Sequence, residues 1–222
     1  MHVHETAHEV EESLSKNGSR PLARLHDLGL LIPNLQCVHM TQLIDEEIRL
    51  LADSGVSVVH CPASNLKLAS GFCPTMQLLD KGVSLALGTD GCASNNELNM
   101  LNEMRLAALI GKGNAGDASV ATAWDVLAMA TINGARQIGL ADYIGTLESG
   151  KFADITAVNL NRINSMPVYD PVASLVYSSQ ASQVSHVWVG GKLNVEEGEL
   201  LNLNQEMLTA KAQQWSDKIQ TA

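Results

Sequence analysis

The chain has 222 residues, of which 45% are hydrophobic and 17% are charged, a balance typical of folded globular domains and not of disordered chains. Its formal net charge of −10 excludes a basic surface for nucleic acid and argues against an anionic membrane surface as a partner. No apolar run reaches the roughly 18 residues of a membrane span, and the four cysteines show no CxxC spacing, so the sequence predicts a cytoplasmic protein with reduced thiols.

The first 140 residues alternate short apolar runs with helical patterns of hydrophobicity. Ser19 is the predicted N-cap of a helix that contains Pro21, and Gly55 is a predicted helix end. Residues 61–73 are predicted to form a polar loop. This alternation implies parallel strands joined by right-handed crossovers, and hence an α/β fold. The predicted strands are 36–40, 56–60 and 83–87, and the predicted helices are 7–16, 20–28, 41–54, one that begins near residue 74, 97–112, 119–130 and 132–139.

The pattern changes after Leu140. The elements predicted beyond it are strands with turns within 144–160, a hairpin at 184–195 that turns at Gly190–Gly191, and an amphipathic helix at about 203–220. The sequence therefore predicts two parts, a β/α layer at residues 1–142 and a small β portion with a terminal helix at residues 143–222.

Polar residues stand where four predicted strands end. In a parallel β/α fold the carboxyl ends of successive strands meet at one edge, so these side chains are expected to lie close together. A single histidine in such a place is more often a packed residue than a ligand, and an aspartate before glycine is by default a turn former. Four successive strand ends of this kind nevertheless indicate a site suited to a divalent cation such as zinc. The four segments are His2–Thr6, Cys37–His39, Val59–Pro62 and Gly88–Gly91.

Longer motifs follow one another along nearly the whole chain: HVHET, CVHMTQLIDEEIRLLADSG, VVHCPASNLKLASG, GVSLALGTDGCASNNELNMLNEMRLAALI, ATINGARQIGL and IGTLESGKFADI. In this order they resemble the amidohydrolase superfamily, and within it the branch of methylthioadenosine/S-adenosylhomocysteine deaminases, which also contains guanine deaminases and triazine hydrolases. The resemblance implies the C-terminal half of a metal-dependent (β/α)8 TIM barrel, with barrel strands five to eight, part of the amidohydrolase β-sandwich and a C-terminal helix.

The resemblance also implies the roles of individual residues. His2 matches the metal-binding histidine of the fifth barrel strand, and Asp90 matches the eighth-strand aspartate, which binds the metal and takes a proton from its water. Glu5 matches the carboxylate that carries a proton between the attacking water and a purine ring nitrogen. His39 matches the sixth-strand histidine that polarises or orients the water. The implied metal ligands are thus His2 and Asp90, and the implied catalytic residues are Glu5, His39 and Asp90.

Substrate contacts are implied in the loop that follows the seventh barrel strand, where His60 and Asn65 are expected to shape the pocket. Together with the two catalytic carboxylates, the implied substrate-binding residues are Glu5, His60, Asn65 and Asp90.

Two assignments near the start of the chain have alternatives. His4 shares a strand face with His2 by alternation, but His2 is favoured as the ligand because it lies three residues before Glu5. Glu5 itself has a plain structural interpretation, as a first-turn carboxylate favoured by the helix dipole. The other histidines are interpreted as ordinary helix or surface residues and the cysteines as small core residues, namely His8, His26, His186, Cys37, Cys61, Cys73 and Cys92.

The activity implied by the resemblance is hydrolytic deamination of an adenosine-type purine, from methylthioadenosine or S-adenosylhomocysteine to the inosyl product and ammonia. The implied cofactor is one divalent metal, zinc in the first place with iron or manganese as alternatives, and the implied partners are a small purine nucleoside and, for the full-length form, further copies of the protein. Alternatives are a guanine or 8-oxoguanine deaminase, a triazine hydrolase or, from another class, a non-catalytic half-barrel that assembles with a complementary chain.

The resemblance further implies that part of the enzyme is missing. A β/α barrel needs about 250 residues, and the family's first-strand HxH motif, which supplies two metal ligands, has no counterpart upstream of His2. We therefore expect a truncated chain that binds zinc weakly and has no deaminase activity alone.

Overall fold

The computed structural model describes residues 1–221. The strands are β1 His2–Val3, β2 Gln36–His39, β3 Ser57–His60, β4 Leu85–Leu87, β5 Ile155–Val158, β6 Val184–Val189, β7 Lys192–Glu196 and β8 Glu199–Leu200. The α-helices are α1 Ala7–Asn17, α2 Pro21–Asp27, α3 Asp45–Ser54, α4 Pro62–Lys67, α5 Thr75–Asp80, α6 Met100–Ala115, α7 Ala123–Met129, α8 Ile132–Gln137, α9 Pro171–Tyr177 and α10 Gln205–Gln220, and a 3-10 helix spans Ala181–Gln183.

The first sheet contains β1 to β4, paired in chain order and parallel throughout. The predicted parallel arrangement is confirmed. Val58 of β3 and Leu85 of β4 are fully buried, as expected for short apolar strands covered on both faces. The register places Val3 beside His39 and His60 beside Leu87. The carboxyl ends of the four strands therefore meet at one edge.

Helix α2 begins differently from the prediction. Its N-cap is Arg20, with an extended backbone, and not Ser19. The cause is Pro21 at the first helical position, because a residue before proline is confined to extended conformations. Arg20 makes no side-chain capping bond; its guanidinium instead pairs with Glu47 of α3.

Helix α3 begins four residues later than predicted. Thr41 is held in a turn because its hydroxyl donates to the carbonyl oxygen of Glu5 at 2.7 Å, with the carbonyl oxygen of Ser70 also within reach at 3.1 Å. Glu47 then accepts a bond from the backbone N–H of Ile44 and so defines the helix start. The helix ends at Gly55 as predicted, with a left-handed φ of 70° that favours glycine.

Two helices lie in segments for which none is predicted. Helix α4 occupies the predicted loop 61–73, with Pro62 at its start. Helix α9 begins at Pro171 after Asp170, whose carboxylate accepts two backbone N–H groups. It packs against α6 and α7 and buries Val176 in their core. The predicted boundary at residue 142 therefore separates α9 from the layer against which it packs.

The second sheet is antiparallel, in the order β5-β6-β7-β8. The predicted hairpin is confirmed, with Val189 paired to Lys192 across Gly190 and Gly191. Of the predicted strands within 144–160, the structure contains β5 alone among the described residues. The terminal helix α10 forms close to its predicted range and has no buried residue among those described. No helix within residues 1–221 has the length and apolar character to span a membrane.

Three of the four cysteines are buried, as predicted, but Cys92 is exposed. It lies in the turn after β4, outside the packed layer, so its interpretation as a core residue is wrong. Burial raises the pKa of Cys37 to about 11 and that of Cys61 to about 12, so these side chains are neutral thiols at physiological pH. His8 and His26 are exposed.

We expect the stability of the chain to depend on the parallel layer. Leu85→Ala removes a fully buried side chain of β4 and should lower the free energy of unfolding by about 2–5 kcal/mol. Leu147→Ala, at a site 77% exposed, is the matched control and should change it by less than about 0.5 kcal/mol. Equilibrium urea unfolding measures both, and equal losses in the two variants would contradict the assignment of the core.

Candidate metal and catalytic site

Three side chains from two strand ends converge at the edge of the parallel sheet. One donor atom each from His2, Glu5 and His39 lies within 4.8 Å of the other two. His39 Nε2 is 2.9 Å from His2 Nδ1 and 3.6 Å from Glu5 Oε2, and His2 Nδ1 is 3.7 Å from Glu5 Oε2. His39 is fully buried, whereas the side chains of His2 and Glu5 are 56% and 26% exposed. The group is thus fixed on one side and open on the other.

The backbone at these strand ends is in the left-handed region at residues other than glycine. The φ angles are 54° at His4, 77° at His39, 53° at Met40 and 57° at Asp90. Such residues cost on the order of 1–3 kcal/mol each and are concentrated at functional sites. In this chain they turn the backbone sharply where β1 and β2 end and in the loop that follows β4.

Glu5 is held at the start of α1. The N-cap is Thr6, so Glu5 precedes the helix, and the acidic residue of its first turn is Glu9. The Glu9 carboxylate accepts the backbone N–H groups of His4 and Glu5, at 3.1 and 2.7 Å. The interpretation of Glu5 as a first-turn carboxylate is therefore wrong, and its side chain points to the two histidines instead.

His39 is oriented by Asn65 of α4. Its Nδ1 lies 2.8 Å from Asn65 Oδ1, an acceptor, so Nδ1 carries the proton and donates it. The lone pair of Nε2 then faces His2, Glu5 and Asp90, whose Oδ2 is 4.0 Å away. The Asn65 amide thus favours the tautomer in which Nε2, the nitrogen that faces the site, carries the lone pair.

Asp90 follows β4 and is clamped by two serines. Ser64 Oγ and Ser94 Oγ donate to its Oδ2 at 2.6 and 2.5 Å. Partial burial acts to raise the pKa of Asp90, but these hydrogen bonds outweigh it and hold the pKa at about 2. Asp90 is therefore ionised at neutral pH. Neither serine was predicted; both lie inside the quoted motifs, but serine is too common in turns to identify a site.

His60 is buried, and neither of its ring nitrogens has a hydrogen-bond partner in the structure. Asn65 is also buried, with its Nδ2 unpartnered. The pKa of His60 is lowered to about 4, mainly by burial and to a smaller extent by the nearby His39. Both residues are thus buried and not on an open surface, and their predicted substrate contacts stay a prediction.

His4 lies outside the group, in a separate buried cluster. Its Nε2 accepts the backbone N–H of Leu22 at 3.1 Å, and Nδ1 faces the Gln42 carbonyl oxygen at 3.2 Å. Glu47 Oε1 is 3.4 Å away and forms a bidentate pair with Arg20, at 2.7 and 2.9 Å. Burial lowers the pKa of His4. Both nitrogens have structural partners, which favours His2 over His4 as the ligand.

The donor set fits a divalent cation. Two imidazole nitrogens and a carboxylate are the ligands that zinc prefers, and neighbouring ligand atoms of a tetrahedral zinc lie about 3.3 Å apart. The observed separations among His2, Glu5 and His39 are 2.9, 3.6 and 3.7 Å. Asp90 Oδ2 lies 4.0 Å from His39 Nε2, and Asp90 is not a member of the compact group formed by the other three residues. Its predicted role as a ligand beside His2 stays a prediction.

We expect acid to destabilise the chain through His60. Its pKa of about 4 in the folded chain is below its unfolded value of about 6.5. As pH falls from 7 to 5 the unfolded state therefore binds a proton that the folded state does not, and stability drops by about 2 kcal/mol. His60→Leu should remove this part of the drop, measured by urea unfolding at both pH values, whereas His26→Asn at an exposed position should retain it. An unchanged drop in His60→Leu would contradict the assignment.

Comparisons with known proteins agree with this geometry. Residues 1–193 match the model of the amidohydrolase family. The 5-methylthioadenosine/S-adenosylhomocysteine deaminase of Teredinibacter turnerae is 52% identical over 99% of this chain and 50% of its own length, and that of Saccharophagus degradans is 46% identical over 99% and 49%. The chain thus spans about half the length of the curated relatives it matches.

Solved structures show the same fold. A zinc-bound crystal structure described as an adenosine deaminase from Xanthomonas campestris superposes with a TM-score of 0.97 at 49% identity, over all of this chain and 50% of that one. A zinc complex of atrazine chlorohydrolase from Arthrobacter aurescens gives a TM-score of 0.88 at 30% identity, over 95% and 46%. With a family match over most of its length, this chain belongs to the amidohydrolase family.

Proposed function

We propose that this chain provides barrel strands five to eight of a metal-dependent hydrolytic deaminase that converts methylthioadenosine or S-adenosylhomocysteine to the inosyl product and ammonia. The observation that carries the proposal is the convergence of two imidazoles and two carboxylates, from His2, His39, Glu5 and Asp90, at the edge of the parallel sheet. The names of the Teredinibacter and Saccharophagus relatives support the substrate, and the zinc-bound neighbours support the metal.

The metal would be held by His2 and Asp90, next to His39. When bound, a divalent metal lowers the pKa of a coordinated water towards 7 and supplies a nucleophile at neutral pH. Zinc suits the imidazole nitrogens best, with iron or manganese as alternatives. Asp90 is prepared for this role because the bonds from Ser64 and Ser94 keep it ionised.

Glu5 moves the proton in the proposed reaction. Deamination forms a C–O bond from water to the ring carbon and breaks the exocyclic C–N bond, and the ring nitrogen must be protonated first. Glu5 Oε2 lies 3.6–3.7 Å from both histidines, and the side chain is partly open to solvent. It can therefore give its proton to the ring nitrogen and regain one from the added hydroxyl group when the C–N bond breaks, while the proton that Asp90 takes from the water goes to the departing amine.

His39 and Asp90 share the handling of the water. With Nδ1–H donated to Asn65, His39 presents a lone pair at Nε2 and can accept a hydrogen bond from the water. Asp90, ionised at neutral pH, is the base that takes the first proton. Asn65 acts by orienting His39.

The remaining proposals follow from charge and family. A net charge of −10 suits a small purine nucleoside as partner and disfavours a nucleic-acid backbone. We propose a cytoplasmic enzyme, with a division near residue 142 between barrel and β-sandwich portions, and a homo-oligomer for the full-length form.

Metal binding tests the site directly. Equilibrium dialysis of the purified chain should show zinc binding that falls at least about tenfold in His2→Asn, because the imidazole of the two proposed ligands is lost. His26→Asn is the matched control, since His26 is exposed on α2 outside the site, and its affinity should equal that of the unsubstituted chain. Equal zinc affinity in His2→Asn and the unsubstituted chain would contradict the proposed ligand.

Ammonia release tests the reaction. The chain is assayed alone and together with the part of the Teredinibacter relative that it does not match, with methylthioadenosine and S-adenosylhomocysteine as substrates. Glu5→Gln should lower kcat about 10²- to 10⁴-fold through loss of the proton carrier while zinc content stays unchanged. Glu11→Gln, exposed on α1, should retain full activity.

The same assay separates the alternatives. Turnover of guanine, 8-oxoguanine or a triazine without turnover of either nucleoside would replace the proposed substrate. Full zinc occupancy with no turnover of any of these substrates would favour the non-catalytic half-barrel.

A further inference from the structure

A buried carboxylate on α6 has no role in the proposed reaction. Glu103 is fully buried, and its two oxygens accept from uncharged donors on two different segments, the first turn of α4 and the loop after β4. The backbone N–H of Ala63 donates to Oε2 at 3.1 Å, and Asn95 Nδ2 donates to Oε1 at 2.5 Å. Burial raises the pKa of this carboxyl group. Burying a carboxylate without a cationic partner costs free energy of folding, which indicates that Glu103 has a specific role at this position.

The first segment, the start of α4, carries Ser64 and Asn65 directly after Ala63. Ser64 donates to Asp90 Oδ2 at 2.6 Å, and Asn65 accepts from His39 Nδ1 at 2.8 Å. Glu103 therefore fixes the backbone one residue before the serine that clamps Asp90 and two before the amide that selects the His39 tautomer.

The second segment is the loop after β4. Asn95 uses the same Nδ2 to donate to the carbonyl oxygen of Thr89 at 2.8 Å, next to Asp90. It directly follows Ser94, which donates to Asp90 Oδ2. Glu103 is thus connected, through the residue before each, to both serines that donate to Asp90 Oδ2.

We propose that Glu103 is a positioning residue of the site, which holds the first turn of α4 and the loop after β4 in fixed positions so that Asp90 and His39 keep their geometry. The inference rests on the proposed function only for the part of its test that measures metal binding. A carboxylate suits the position because it alone presents two acceptor oxygens to two N–H donors, whereas the glutamine amide turns one of them into a donor that faces a donor.

The test uses the isosteric variant Glu103→Gln, with Met104→Ala as the matched control. Met104 is the next residue on α6 and is buried to a similar degree. Its truncation removes core packing but none of the hydrogen bonds of Glu103 with Ala63 and Asn95. Asn95→Ala removes the other end of the clamp and serves as the second variant if Glu103→Gln does not fold.

The first readout is the metal-free chain labelled with ¹⁵N-histidine. The His39 Nδ1–H resonance, identified by its absence in His39→Gln, should shift or broaden in Glu103→Gln and Asn95→Ala and stay in place in Met104→Ala. A merely structural role would move it equally in Met104→Ala. An unshifted resonance in Glu103→Gln would overturn the inference.

The second readout is titration with Co²⁺, whose visible absorption reports ligand geometry. Loss of an outer hydrogen-bonding partner typically weakens metal binding 10- to 100-fold, so Kd should rise by about that factor in Glu103→Gln, with a changed spectrum, and stay within about twofold in Met104→Ala. If the unsubstituted chain binds no Co²⁺ but the His39 resonance responds to Glu103→Gln, the proposed metal site fails and the positioning role stands. If Co²⁺ binds equally to all variants and the resonance is unmoved, the positioning role fails and the metal site stands.

Discussion

The parallel register of β1 to β4 is the constraint on which the site depends, because it brings residues far apart in the chain to the same edge of a sheet. Val3 beside His39 and His60 beside Leu87 fix where each strand ends relative to its neighbour. The left-handed backbone at His39 and Asp90 then turns the chain at that edge. Side-chain chemistry acts only within this frame, since a shift of one residue in the pairing would turn each side chain to the opposite face.

Neutral hydrogen-bond donors and acceptors set the orientation and the protonation state of the side chains in the site. The Asn65 amide selects the tautomer of His39, and the hydroxyls of Ser64 and Ser94 keep Asp90 ionised. Neutral partners leave the charge of a carboxylate uncompensated, and so available to a cation or a proton. Around Glu47 the arrangement is the opposite, because the Arg20 guanidinium pairs with its carboxylate, and that cluster links α2 and α3 to the strand layer.

Several features were within reach of the sequence. The alternation of apolar runs and helical patterns predicts the strands and most of the helices of the first layer, because burial on one face of a helix or on both faces of a strand leaves a periodic record. The motifs at the strand ends identify His2, Glu5, His39 and Asp90 as one group. The short helices α4 and α9 were not predicted. Six or seven residues carry little periodicity, and the local signals are a proline at the first helical position of each and the N-cap Asp170 of α9.

What the sequence by itself determined is the α/β layer, its family and the residue types at the ends of its strands. What only the tertiary structure decided is which of these residues meet and in what state. His2 and His4 are equivalent by strand alternation, yet His4 has both ring nitrogens occupied by Leu22 and Gln42. In the sequence, nothing but its helix distinguishes Glu103, yet in the structure its carboxylate joins the first turn of α4 to the loop after β4. These outcomes depend on hydrogen bonds between residues distant in the chain, which leave no periodic pattern along it and exist only once the strands have paired.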